Sequence, residues 1–495
     1  MVMGTASHVG KTLITAGLLR LMADEGLSPA PFKAVNISLN ATAAPDGAEI
    51  AWSQAIQAEA ARVAPSALMN PVLMKPMAAG RAQIVVEGRV LADVTAAEYR
   101  HPGFQDRDRL WRAIARSFQA LSEIYHPLVI EGAGSPAEVN LQEADLANMR
   151  TARLADARVV LVADIERGGV FAAIVGTLAL LAPADRDRIG GLLVNRFRGD
   201  PHLFDDGRAW LESHTGIPVL GVIPHLDGLD LLEEDSMGLD HPRYRVPVRS
   251  DGHVLTVAAV RFPHLSNFGD LDPFFSDPRL HAGWYERPPD FPADIVVLPG
   301  TKNTLADLEW LDAQGWAAYI RARHASGAAV CGVCGGYQML GLRVSDPDRL
   351  ESSRGERAGL GLSAHTTVLL GQKTVRRVSG TAAEPLPPHH VEGYELHLGA
   401  TRHSGERQPL LLLEDGPDGF IEDGGRLIGT YVHGLFDNDE FRESWLSRIA
   451  DAHGRAWPRA SLPSPRSRRE RSYDDLAAHL RQHLDLARLH ALLTR

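Results

Sequence analysis

The sequence predicts a two-domain α/β protein, on three observations. Short, continuously apolar runs alternate with helical segments through the first half, the pattern of a parallel sheet covered on both faces. The same alternation restarts after an acidic, Pro- and Gly-containing break at 225–252. With 495 residues, the chain is too long for one ordinary hydrophobic core.

In the first series, residues 127–134, 157–165, 189–197 and 217–224 each read as a strand running into a loop. The second series has its clearest strands at 253–262, 293–300 and 327–336, with β-like pieces at 365–371 and 426–434. From Pro463 the tail is arginine-rich and then helical, with Leu476, Leu480 and Leu484 four residues apart; its charge run reads as a solvated helix entry. These signals place a first domain at 1–230, a linker at 231–252, a second domain at 253–450 and a helical tail at 451–495.

Bulk properties exclude several classes. Hydrophobic content of 44% and charged content of 23% are those of a globular protein. A net charge of −11 argues against a nucleic-acid binder, which needs a basic face. Two cysteines, Cys331 and Cys334, cannot form a disulfide scaffold in a chain this long. No basic-then-apolar leader opens the sequence. The longest runs without Asp, Glu, Lys or Arg, 168–184 and 324–342, are both broken by glycines, so no membrane span is expected and a cytoplasmic location is.

The segment Gly4-Thr5-Ala6-Ser7-His8-Val9-Gly10-Lys11-Thr12 precedes an apolar pattern of helical period, Leu13, Ile14, Gly17, Leu18, Leu21 and Met22. A glycine-rich turn opening a helix presents backbone N–H groups and the positive end of the helix dipole to phosphates. Lys11 would neutralise β/γ-phosphates and Thr12 would ligate Mg²⁺, so ATP and Mg²⁺ are expected. The loop has one residue more than the usual phosphate loop, and a chance turn before a core helix is the competing reading. Only five lysines occur in the chain, Lys11, Lys33, Lys75, Lys302 and Lys373, which lowers the odds of coincidence. Three carboxylates at strand ends or on loops, Asp46, Glu131 and Asp145, are candidates for metal and acyl-activation chemistry.

In the second domain, Cys331-Gly-Val-Cys334-Gly-Gly follows a strand of small and β-branched residues. Small neighbours allow a sharp strand-to-helix turn, and Cys334 would stand at a helix N-terminus, which favours the thiolate. Half a zinc site and a redox dithiol are the competing readings of C-x-x-C; there is no second cysteine pair for the first, and the glycines favour the elbow over the second. A cysteine nucleophile needs a base, and His433, at the end of a strand, stands out among 21 histidines. Backbone amides at Gly300 and Gly335 would form an oxyanion hole.

On these motifs the first half resembles a dethiobiotin synthetase-like P-loop domain with a parallel sheet, and the second a class I glutamine amidotransferase-like α/β domain. Longer stretches (36–58, 69–76, 131–141, 145–149, 163–171, 195–200, 266–273, 298–304, 393–399 and 429–436) are similar to the cobyric acid synthase family over nearly the whole chain. The resemblance implies a glutamine-hydrolysing, ATP-dependent amidoligase (a carbon–nitrogen ligase of cobalamin biosynthesis) that amidates the b, d, e and g carboxylates of adenosylcobyrinic acid a,c-diamide. Its partners would be glutamine and that corrinoid. It further implies Gly4, Thr5, Gly10, Lys11 and Thr12 as the nucleotide site, with Thr12, Asp46 and Glu131 as metal ligands. Asp145 would be an acid near the acyl-phosphate chemistry, Cys334 and His433 nucleophile and base, and Gln338 a glutamine-binding residue. Most glutaminases of this class carry Glu two residues after the histidine; Leu435 stands there instead. The competing functions are a cobyrinic acid a,c-diamide synthase, with the same chemistry at other carboxylates, and a ParA-like P-loop ATPase switch, which would leave Cys334 and His433 unexplained.

Overall fold

The computed structural model describes residues 1–77, 80–101, 103–142, 144–231, 239, 244, 254–352, 354–460 and 462–493. The expected linker at 231–252 lies outside the described residues apart from Leu231, Leu239 and Tyr244.

In the first half, Val2–Gly4, Val159–Asp164, Ile189–Phe197 and Val219–Pro224 pair in parallel in that order. A bridge from Val2 to Glu131 joins the parallel pair Leu128–Ile130 and Ala30–Phe32 to the free edge. The strands are apolar throughout because both faces are buried. Val160 and Val162 pack with Leu18 of the helix Lys11–Asp24, while Leu161 and Ala163 between them pack with Ile174 and Leu178 of the helix Val170–Leu180. A smaller sheet, Val35–Ile37, Val72–Pro76, Arg81–Val86 and Arg89–Thr95, extends this half sideways.

The second half has its own sheet in the order Leu280–Tyr285, Leu255–Val260, Ile295–Leu298, Ala329–Val333 and Leu427–Thr430, all parallel, closed by the antiparallel edge Phe420–Glu422. A long hairpin, His365–Ala382 with His390–His403, stands beside it and carries the short strand Val432–His433. Every strand expected in this half and the first is present, the last one interrupted at Tyr431.

The tail returns to the first half. Leu476 and Leu480 of the helix Pro465–His483 lie over Gly17, Arg20 bonds Glu470 and Asp474 (2.5 and 2.8 Å), and Leu484 bridges Gly221 at the edge of the first sheet. The arginine run expected to be solvated is in part an ionic seam. Arg468 pairs with Asp230, and Arg469 reaches both Glu59 of the first half and Asp437 of the second (3.3 Å each). Those acids, brought together only by the fold, convert a surface charge run into a clamp.

The two halves are docked through buried polar contacts. Glu49 is shared by Lys75 of its own half (2.8 Å) and Lys373 of the hairpin (2.5 Å), with the Glu49 and Lys75 side chains almost inaccessible. Burial opposes the charge on Glu49, but Lys373 and Lys75 overcome it and hold the carboxyl down to about 2. One carboxylate cannot satisfy two ammoniums. Burial pulls Lys373 down to about 7 against the attraction of Glu49, with Lys75 and Lys302 adding to the fall. Arg377 donates to the Ala43 carbonyl, and Ala41, Ala43, Leu73 and Val85 share an apolar cluster with Tyr394 and Leu396 of the hairpin.

Removing one partner of a buried ion pair leaves an uncompensated charge and costs about 3–5 kcal/mol. Glu49→Gln is therefore expected to lower stability by about that amount, read by denaturant unfolding, whereas pairing Glu49→Leu with Lys373→Met should recover part of the loss.

Candidate active sites

The strand Val2–Gly4 delivers the chain to the glycine loop, Thr5 N–H bonds the Val162 carbonyl, and the helix begins at Lys11. Gly10 needs its lack of a side chain twice over: its φ is +93°, and a Cβ there would lie 2.3 Å from Asn195 Nδ2. Asn195, at the end of the strand Ile189–Phe197, donates to the Val9 carbonyl (2.9 Å) and so holds the loop from across the sheet. Lys11 Nζ donates to the carbonyls of Ala6 and Gly134 (3.0 Å each), which folds the ammonium over the loop where phosphate oxygens would sit.

Glu131 is the hub of this centre. Its carboxylate is fully buried at the end of Leu128–Ile130 and accepts from Thr12 Oγ1 (3.0 Å), Lys33 Nζ (3.0 Å) and Gln57 Nε2 (2.6 Å). A buried carboxylate beside the phosphate-loop threonine is the oxygen-donor chemistry that Mg²⁺ prefers. Asn148 bonds both the N–H and the carbonyl of Ala133, pinning the turn after Glu131. Asp145, half-buried, accepts from the N–H groups of Ala147 and Asn148 (2.8 and 3.1 Å), and burial raises its pKa against those bonds. It thus sits on the segment that holds the Glu131 turn.

Asp46 stands apart. It is exposed at the tip of the hairpin Ala41–Ala43/Glu49–Ala51, where it accepts from Ala48 N–H. Among the described residues no three His, Cys, Asp or Glu side chains form a ready-made metal cage. Lys33, Gln57, Asn148 and Asn195 were not anticipated from sequence. Lys33 carried a signal as one of five lysines, and Gln57, Asn148 and Asn195 lay inside the family-like stretches 36–58, 145–149 and 195–200 without being singled out.

The second centre is built on the strand Ala329–Val333. Cys334 follows it with φ +53° and ψ −110° and caps the helix Gly335–Leu340, the strained turn of a nucleophile elbow. Gly336 makes the turn possible: a Cβ there would fall 1.9 Å from the Leu298 carbonyl oxygen. The Cys334 thiol donates to the Leu396 carbonyl (3.6 Å); Cys331, three residues earlier on the strand, is also buried, and its thiol is pushed up by that burial and then by Asp270. Gln338 is buried one helical turn on, accepting from Thr304 Oγ1 (2.9 Å) and donating to Tyr431 (3.4 Å). Gly335 lies against Thr301 and Gly300 against His433 and Ser266, so the two amides expected to form an oxyanion hole belong to adjoining turns.

His433 is buried with its ring stacked on Tyr394, centroids 5.1 Å apart. Its Nδ1 meets Asp270 Oδ2 at 2.7 Å, while Asp270 Oδ1 accepts from Gly434 N–H (2.9 Å). Burial works to lower the histidine's pKa, but Asp270 and then Cys334 overcome it and hold the imidazolium up to about 10. Among the described residues Nε2 has no partner of full hydrogen-bond geometry, and Cys334, which helps to raise the imidazole, is the group it is left for. Leu435, two residues on, is buried core. The carboxylate missing from that position is supplied by Asp270, 163 residues earlier in the chain. Cysteine, histidine and aspartate so arranged can attack an amide carbonyl and protonate the departing nitrogen.

Residues 256–441 match the model of the CobB/CobQ-like glutamine amidotransferase domain, and residues 1–231 match that of an AAA domain, which agrees with ATP use. Cobyric acid synthase from Syntrophobacter fumaroxidans is 41% identical over 100% of this chain and 98% of its own length. The proteins of the same description from Chloroflexus aurantiacus (43%; 100% and 99%) and Methylorubrum populi (43%; 98% and 97%) are similar to the same extent. No helix among the described residues is long and apolar enough to cross a membrane.

Asp270→Asn should keep the fold and lower glutamine hydrolysis by about 10²–10⁴-fold. Because Asp270 raises the folded pKa of His433, its loss lets the imidazolium deprotonate at lower pH. The alkaline limb of the glutaminase rate is expected to move down in the variant relative to the wild type; a pH–rate profile reads this directly, and an unmoved limb would show that Asp270 does not hold the proton.

Proposed function

The chain belongs to the cobyric acid synthase family, and on that premise we propose that it amidates the b, d, e and g carboxylates of adenosylcobyrinic acid a,c-diamide with ATP and glutamine. The observation that carries this reading is the docking of an elbow cysteine, paired with an Asp-held histidine, onto a phosphate-loop domain through a buried polar interface.

At the glutaminase centre the Cys334 thiol passes its proton to His433 as the sulfur attacks the side-chain amide carbon of glutamine, and the amides of Gly300 and Gly335 receive the developing oxyanion. The imidazolium so formed, stabilised by Asp270, gives that proton to the nitrogen, and ammonia leaves as the C–N bond breaks. Water activated by the now neutral imidazole then cleaves the thioester to glutamate. Gln338, buried one helical turn from the nucleophile, is the residue assigned to glutamine binding.

At the nucleotide centre a substrate carboxylate oxygen bonds the γ-phosphorus of ATP and ADP departs, which converts a poor electrophile into an acyl phosphate. Lys11 and the loop amides neutralise the phosphate oxygens. Thr12 and Glu131 would hold Mg²⁺, which when bound supplies further charge neutralisation there. Asp145 lies on the segment that pins the turn after Glu131. Ammonia attacks the acyl carbon and phosphate leaves. A cavity of about 1010 Å³ between the halves, walled by Trp52, Ile56, Tyr394, Arg62 and Arg377, supports a substrate of corrinoid size, at the upper end of the ~300–1,000 Å³ of small-molecule sites.

Mass spectrometry of cobyrinic acid a,c-diamide, adenosylated, after incubation with the protein, ATP, Mg²⁺ and glutamine should show four successive replacements of a hydroxyl by an amino group. Glutaminase turnover without any such change would sink the substrate assignment. Cys334→Ser is expected to abolish synthesis from glutamine while leaving synthesis from ammonium salts within about twofold; equal loss of both would count against separate ammonia-producing and ammonia-consuming centres.

A further inference from the structure

Asp270, which orients His433, stands on the one-turn helix Phe268–Leu271, and that turn is held from the other domain. Asn267 caps it with φ +53° and ψ +43°, a left-handed conformation that a non-glycine residue keeps only when its surroundings enforce it. What enforces it here is a reciprocal pair of hydrogen bonds. Asn267 N–H donates to Asn40 Oδ1 (2.8 Å), and Asn267 Oδ1 accepts from Ala41 N–H (2.9 Å). Both asparagine side chains are buried, 7% and 6% exposed, so neither bond is replaced by water without cost.

The segment so gripped touches both working parts of the glutaminase. Ser266 N–H, one residue before Asn267, bonds the Gly300 carbonyl (3.0 Å) on the turn assigned to the oxyanion hole. Asp270 N–H, three residues after, bonds the Asn267 carbonyl (3.2 Å), and its carboxylate holds His433 and the Gly434 amide. On its own side Asn40 is tied to the nucleotide centre. Its carbonyl accepts the N–H of Trp52 (3.1 Å), the first residue of the helix Trp52–Ala60 whose Gln57 bonds Glu131.

We propose that Asn40 is a positioning residue of the glutaminase contributed by the nucleotide domain: by fixing Asn267 it sets the Asp270–His433 pair and the Gly300 turn, so that glutamine is hydrolysed only while the loop at 38–42 is docked. This rests on the glutaminase half of the function proposed above. Release of glutamate from glutamine by the wild-type chain tests that half alone, so the two can fail separately.

The test compares full-length wild type, Asn40→Ala and Asn40→Asp for glutaminase kcat, KM and pH profile, with ATP affinity as the control for an intact nucleotide domain. Asn40→Ala is expected to lower kcat by about 10- to 100-fold and to move the alkaline limb of the rate to lower pH, with ATP affinity unchanged. Asn40→Asp keeps an acceptor for Asn267 N–H and should restore most of the rate. Should Asn40→Ala not fold, Asn267→Gly, which retains the left-handed backbone and loses only the acceptor for Ala41, should show a smaller loss of the same kind. A kcat within twofold of wild type, a loss not relieved by Asn40→Asp, or a reduced rate with an unmoved alkaline limb would each overturn the proposal.

Discussion

The architecture depends on one buried carboxylate. Glu49 leaves water only because Lys75 from its own half and Lys373 from the other meet it, and among the described residues neither lysine forms a second ion pair. Such an arrangement contributes little net stability, since desolvating three charges offsets most of their attraction. What it contributes is geometry: the pose that brings Lys373 to Glu49 gives both buried cationic groups a carboxylate, which a pose without that contact would deny to Lys373. The docked pose in turn presents the loop at 38–43 to the glutaminase hairpin, packs Ala41 and Ala43 against Tyr394 and Leu396, and so walls the space around Cys334 and His433.

Lysine usage tells the same story. Four of the five lysines are buried and the fifth, Lys373, is partly so; two stand at the nucleotide centre (Lys11, Lys33) and three at or near the domain junction (Lys75, Lys302, Lys373), while most arginines stay nearer the surface. Arginine keeps its charge everywhere, whereas lysine is a compact point charge whose affinity for a proton responds to burial. Burial lowers Lys302 and Lys373, so the junction is where the molecule's cationic charge depends most on its surroundings.

The parts legible in the sequence were those whose physics is local. A glycine loop opening a helix, a cysteine flanked by glycines after a strand, and apolar runs buried on both faces all declare themselves within ten residues, and each is present. The same reading failed where partners are distant. Asp270 lay inside a stretch already noted at 266–273, yet nothing in its neighbours says that it will reach a histidine 163 residues on; the empty position at Leu435 said only that a carboxylate was missing. Glu59 and Asp437 likewise turn the arginine run into a clamp by approaching from opposite halves. Asp46 shows the converse: a family pattern assigns it to the metal, while the hairpin it sits on carries it to an exposed tip.

The two centres also differ in what keeps them in shape. The nucleotide centre uses a left-handed glycine, Gly10, close to a left-handed His8 (φ +60°), and a carboxylate satisfied by three donors, all of them on its own domain. The glutaminase centre carries two left-handed residues that are not glycine, Cys334 and Asn267, each of which costs on the order of 1–3 kcal/mol unless its surroundings over-determine it. Cys334 is held by its own sheet, through the Thr430 carbonyl, and by the helix it caps. Asn267 is held across the junction, by Asn40 and Ala41. Strain of that size is comparable to the reach of a pair of buried hydrogen bonds, about 0.5–1.5 kcal/mol each. The base of the glutaminase is therefore set where holding forces and strain nearly balance, and the contact that tips the balance belongs to the domain that consumes the ammonia.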